Sequence, residues 1–213
     1  HLKISRKTGF AWRKRFFKAA AELPAGMLSG LIEADEAFFL RSFKGSRGWK
    51  NGNPPENRPP RYRGSGAVKS GLSAEQVPVV TALDRSGGLV QGVLPSRCDV
   101  DILEILAEHI ELGSLICSDG QSSYPKLAEA RSCEHRVIER PIHSQEDKAR
   151  GLSKGIRGAL GLGRVNSYHL QLKTSLNRIF KGVSTALLPN YLALEKLLRE
   201  NVQPLTFIQI ALA

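Results

Sequence analysis

The chain has 213 residues, 41% of them hydrophobic, and its 31 Lys and Arg against 20 Asp and Glu give a formal net charge of +11. This composition excludes wholesale disorder and leaves room for one sizeable domain with a small appendage. No apolar run approaches the roughly 18 residues of a membrane helix, and no signal-peptide pattern opens the chain.

The basic excess favours nucleic acid or another anionic surface as a partner, with a solubility surplus on an ordinary enzyme as the alternative. Cys98, Cys117 and Cys133 are odd in number and widely spaced. Without a CxxC pair they suggest neither zinc nor a disulfide framework, and they read as reduced thiols of a cytosolic protein. An opening at His1 rather than Met reads as the loss of an N-terminal segment.

In chain order, residues 5–22 read as a helix with Ser5 as N-cap. Six cations (Arg6, Lys7, Arg13, Lys14, Arg15 and Lys18) interleave there with Phe10, Trp12, Phe16 and Phe17. Such a helix suits a phosphate backbone, and equally a solvated surface. Pro24-Ala25-Gly26 breaks it, so it is expected to pack as a small separate unit with limited contact to the rest. Leu31 to Leu40 then reads as the first core strand.

Residues 41–73 carry eight cations against the single acid Glu56, with six Gly and four Pro, and read as a long basic loop. Val77–Leu83 and Leu89–Leu94 read as strands joined by the turn Asp84-Arg85-Ser86-Gly87-Gly88. A helix from Asp99 to about Glu111 follows, with Ile102, Ile105, Leu106 and Ile110 inward. Next come a strand Leu115–Ser118, a helix Tyr124–Ala130, a strand at Arg136–Ile138 and a helix from about Val165 to Phe180. From Lys148 to Asn190 there are eight cations and no acid. This order predicts an α/β fold around a mixed sheet.

Acids inside apolar segments carry the chemistry. Burying a carboxylate costs several kcal/mol unless a cation or donor satisfies it. Glu33 and Asp35 share one face of a strand and Glu36 takes the other. Any of the three is a candidate metal ligand, with Asp35 centred best, although a solvent-facing acidic side fits as well. Asp119 opens a turn after a strand, where residues of α/β sheets do chemistry, and it also suits a purely turn-forming Asp. On the helix from Val165, Asn166, His169 and Lys173 share a face beside the apolar stripe Val165, Leu172, Leu176 and Ile179. His109, His135 and His143 show no ligand spacing and read as surface histidines.

Taken together, these segments resemble the transposases of bacterial insertion sequences in the fifteen-ninety-five group. The likeness rests on Ile4-Ser5-Arg6-Lys7-Thr8 with Trp12-Arg13, Ile32 to Phe39, Ser42 to Arg47, and Gly71-Leu72-Ser73 with Glu75 to Val79. It continues through Cys117 to Gly120 with Tyr124, then Val165 to His169 with Leu172-Lys173, Phe180 to Thr185, and Asn190-Tyr191-Leu192. The resemblance implies a ribonuclease-H-like sheet flanked by helices at residues 25–200, a remnant of a helix-turn-helix at residues 1–24 and a tail at 201–213. It implies Asp35, Asp119 and Asn166 as ligands of two Mg²⁺ or Mn²⁺ ions, with Lys173 seven residues after Asn166 completing the catalytic set. Some members carry Glu as the third residue; here His169 stands where that Glu would be.

The implied activity is metal-dependent cleavage and strand transfer at insertion-sequence ends. The implied partners are double-stranded DNA with terminal inverted repeats and target DNA, with the protein dimeric or larger on DNA and confined to the bacterial cytoplasm and nucleoid. DNA contacts are expected from Arg6, Lys7, Trp12, Arg13, Lys44, Arg47, Arg61, Arg63, His169 and Arg178. Two rival readings stay open: a catalytically decayed remnant that only binds DNA, and a nuclease of the same fold without strand transfer.

Overall fold

A computed structural model of the chain describes residues 3–22, 24–44, 66–68, 73, 75–96, 99–138 and 160–199. The fold is α/β. A five-stranded mixed sheet has the order β3-β2-β1-β4-β5, with β1 at Leu31–Leu40, β2 at Gln76–Asp84, β3 at Leu89–Val93, β4 at Leu115–Ser118 and β5 at Glu134–Val137. Strands β2 and β3 form the antiparallel hairpin, whereas β4 runs parallel to both β1 and β5. The helices are α1 at Arg6–Ala21, α2 at Asp99–Leu106, α3 at Ser123–Ala130, α4 at Gly163–Thr174 and α5 at Leu188–Arg199.

The residues group into two compact units. One comprises residues 25–37 and 78–171. Its core is aliphatic: Ile32, Ala34, Val80, Ala82, Val90 and Ile116 from the strands meet Ile102 and Leu106 of α2, with Tyr124 and Leu127 of α3. The inward set expected on α2 holds for Ile102, Leu106 and Ile110, which are fully buried. That helix is shorter than expected, because residues 107–109 tighten into a 3₁₀ turn before Ile110 enters a β-bridge with Leu28.

The other unit comprises residues 1–24, 38–77 and 172–213. Here α1 is capped as anticipated, the Ser5 hydroxyl accepting from the Thr8 N–H at 3.0 Å. It packs on α5, a helix that the sequence reading did not anticipate. The Phe17 ring meets Tyr191 edge-on at 4.7 Å between centroids, and Phe180 meets the same ring at 4.8 Å. Limited contact was expected of this helix; instead Phe17, Ala19 and Ala20 are buried. Past Thr174, α4 widens into a π-helical turn over Ser175–Ile179.

Candidate functional site

The three acids of β1 have three different fates. Glu36 turns to the α3 side, where the Tyr124 hydroxyl donates to its Oε1 at 2.5 Å. Burial first, then the charge of Glu36, pushes the Tyr124 hydroxyl well above its ordinary value, so it stays protonated and donates. Glu33, only 1% exposed, is held from two directions. Its Oε2 accepts from the backbone N–H groups of Arg164 at 2.8 Å and Val165 at 3.1 Å, and its Oε1 pairs with the Arg85 guanidinium at 2.9 Å. Asp35 keeps partial solvent access, its side chain 19% exposed, and its Oδ1 accepts from the Glu36 N–H at 2.8 Å. Of the acids in this strand, Asp35 is the most exposed.

Asp119 follows β4 directly. The parallel register pairs Leu31 with Leu115, Ile32 with Ile116 and Glu33 with Cys117. Carried on at the same offset, it sets Asp119 beside Asp35, one residue past the end of β4. Neighbouring strands lie about 4.8 Å apart, and residues in register on parallel strands face the same way. Gly120 makes the turn with φ +90°, where a Cβ would lie 3.0 Å from a Val137 methyl carbon. Asp119 is exposed, and its Oδ1 also accepts from the Gln121 N–H at 3.3 Å, so the turn-forming role read from the sequence is present too.

Helix α4 brings up the remaining candidates. Asn166 sits exposed in its first turn and Lys173 exposed in its last. His169 is 6% exposed, with Nδ1 3.9 Å from Asp35 Oδ2. The resemblance implies Asn166 as a ligand and His169 as a DNA contact; the imidazole is buried beside Asp35, while the amide lies open to solvent.

Arg85 and Arg164 escaped the sequence reading. Arg85 is presented by the β2–β3 turn, which Asp84 organises by accepting from Ser86 Oγ at 2.7 Å, Gly88 N–H at 2.7 Å and Ser29 N–H at 3.3 Å. Burial pushes the Asp84 carboxyl up, but these bonds outweigh it and hold the group below its ordinary value. The Arg164 guanidinium donates to the Arg85 carbonyl at 3.0 Å. Leu162, at the N-cap of α4, has no side-chain acceptor, so the acceptor comes from elsewhere in the chain. His135, expected at the surface, is instead half-buried and bonded to Ser118 Oγ at 2.9 Å; burial lowers its proton affinity. Cys117 and Cys133 are free thiols, and burial, with Glu33 nearby, pushes the Cys117 thiol up.

Among the expected DNA contacts, Arg6, Lys7, Trp12 and Arg13 are exposed on α1, with the Arg13 guanidinium 4.7 Å over the Phe10 ring. Arg178 is exposed on the π turn. Lys44 has a structural use: its ammonium donates to the carbonyls of Lys181 at 3.0 Å and Gly182 at 2.7 Å. Arg47, Arg61, Arg63, Cys98, His143, most of the 41–73 loop and the 201–213 tail lie outside the described residues.

The candidate donors Asp35, Asp119 and Asn166 offer oxygen atoms, the kind a hard divalent cation takes. Among the described residues no group of three or more His, Cys, Asp or Glu is assembled for a metal. No helix among them is long and apolar enough to cross a membrane.

A comparison with curated proteins found no match. The family model for the ISXO2-like transposase domain, a DDE-type family, matches residues 27–201 and so takes in every strand and each of Asp35, Asp119, Asn166 and Lys173. A match over so much of the chain, on a mixed α/β sheet, settles its kinship: the chain belongs to the family of ISXO2-like transposase domains.

Proposed function

We propose that this chain is a DNA transposase of ribonuclease-H-like architecture that cleaves insertion-sequence ends and joins them to target DNA. What supports the reading is the β1–β4 register, whose offset continued two residues further would bring Asp119 alongside Asp35, while Glu33 and Glu36 are engaged elsewhere. Asp35, Asp119 and the Asn166 amide oxygen would hold two Mg²⁺ or Mn²⁺ ions. Bound there, the ions would supply charge neutralisation at the scissile phosphate and a more acidic water.

The chain's own groups do the rest. Asp35 and Asp119 would hold the cations that offset the negative charge of the reacting phosphodiester. Buried beside Asp35, His169 limits how that carboxylate can turn. Lys173 offers a cation to a neighbouring phosphate, and the exposed Arg6, Lys7 and Arg13 hold the DNA backbone. In the first reaction water adds to phosphorus and the 3′ oxygen leaves as a hydroxyl. In the second, that hydroxyl attacks a target phosphodiester and displaces its 3′ oxygen.

The test is incubation of the purified chain with Mg²⁺ or Mn²⁺ and DNA carrying the element's ends. Nicking at the end followed by joining is expected, with both lost in Asp35→Asn and Asp119→Asn while DNA binding persists. Binding without nicking in the unmodified chain would leave the DNA-binding remnant as the correct reading. Nicking without joining would leave a nuclease.

A further inference from the structure

Helix α4 begins without a cap of its own. Its first intrahelical bond runs from the Asn166 N–H to the Leu162 carbonyl at 3.0 Å, which makes Leu162 the N-cap, and leucine has no acceptor for the N–H groups of the second and third helical residues. Those residues are Arg164 and Val165, and Glu33 of β1 accepts from both, at 2.8 and 3.1 Å. A buried carboxylate at a helix N-terminus also meets the positive end of the helix dipole. The second carboxylate oxygen takes the Arg85 guanidinium at 2.9 Å, and the Arg164 side chain reaches back to the carbonyl of Arg85 at 3.0 Å. Strand, hairpin turn and helix are thus joined through a single side chain.

We infer that Glu33 is a positioning residue: an N-cap supplied by β1 that sets Asn166 and His169 of α4 against Asp35. The geometry leaves little slack. Glu33 lies two residues before Asp35 on the same strand face, roughly 7 Å along the strand, and its contacts on α4 immediately precede Asn166. The pairing has a second effect. With its oxygens occupied by two N–H groups and a guanidinium, Glu33 does not compete with Asp35 for a cation. The inference rests on the proposed role of Asp35 for its functional half only; the capping half stands on geometry alone.

The experiment compares the unmodified chain with Glu33→Gln and with Glu104→Gln, a surface control on α2, by amide hydrogen exchange and by single-turnover cleavage. In Glu33→Gln the amides of Arg164, Val165 and Asn166 should exchange faster, with those of β4 unchanged. The cleavage rate constant should fall by about a hundredfold, the effect of a misplacement near 1 Å, with the DNA concentration for half-saturation unchanged. Should Glu33→Gln fail to fold, Arg85→Met carries the same measurements, because the Arg85 side chain is already 37% exposed. Unchanged exchange at the α4 amides overturns the inference, as does a loss of DNA affinity with an unchanged rate constant. If the unmodified chain does not cleave at all, the transposase reading fails, and faster exchange confined to α4 still establishes the cap.

Discussion

Glu36 and Tyr124 meet inside the sheet–helix core, the phenol donating to the carboxylate at 2.5 Å. Neither group faces the side of β1 that carries Asp35, so the pair can be tested as structure alone. Tyr124→Phe removes a donor from a buried acid and keeps the ring. It should lower unfolding free energy by about 2 kcal/mol, measured by urea denaturation, without altering DNA affinity. An unchanged midpoint would mean that the bond contributes nothing net.

Acid stability should report on Asp84. Its hydrogen bonds favour the ionised form, so the folded chain binds that proton less readily than the unfolded chain. The resulting stabilisation is present above the ordinary value of 3.8 and is lost as pH falls through the lower folded value. Asp84→Asn should therefore be less stable at neutral pH and show a flatter acid limb below the ordinary value of 3.8. A thermal-melt series across pH checks this, and parallel acid limbs would refute it.

The two candidates on α4 separate by what each replacement disturbs. Asn166 is exposed, so Asn166→Ala should melt within about 0.5 kcal/mol of the parent and lose metal-dependent cleavage. His169 is buried, so His169→Ala should cost about 1–3 kcal/mol of stability and retain part of the cleavage. Denaturation curves and cleavage rates on the same preparations decide it; the reverse ranking in cleavage would make His169 the essential residue of the pair.

Salt should weaken DNA binding steeply, because each Lys or Arg on a phosphate releases counterions. Arg13→Ala should weaken binding evenly across sequences and lower the log–log salt slope by about one. Titration by fluorescence anisotropy between low and physiological salt measures both. An affinity indifferent to salt would rule out the basic surface of α1 as a phosphate contact.

Much of this arrangement was legible because period and punctuation agree in the strands. Leu31–Leu40 and Leu115–Ser118 have the expected bounds, and the Asp84–Gly88 turn forms the expected hairpin. Relating Asp35 to Asp119 needs the register, which depends on which strand lies beside β1. No local pattern encodes that neighbour. The sequence analysis ends its elements at Phe180 and so omits helix α5, which carries Pro189 in its first turn, where proline is tolerated. The role of Glu33 was hidden for a related reason. Its partners lie 131 and 132 residues away, and a missing cap at Leu162 is visible only once the helix start is known.

The contact of Phe17 with Tyr191 carries a temporal consequence. During synthesis the α1 ring emerges 174 residues ahead of its partner. At ribosomal rates of about 5–20 residues per second, that interval is roughly 10–35 s. Throughout it the apolar side of a strongly cationic helix faces solvent, open to chaperones or to any nearby polyanion. A frameshift or stop codon before Tyr191 would make that state permanent. The fragment would be released with an unsheathed, adhesive helix, a ready substrate for proteolysis.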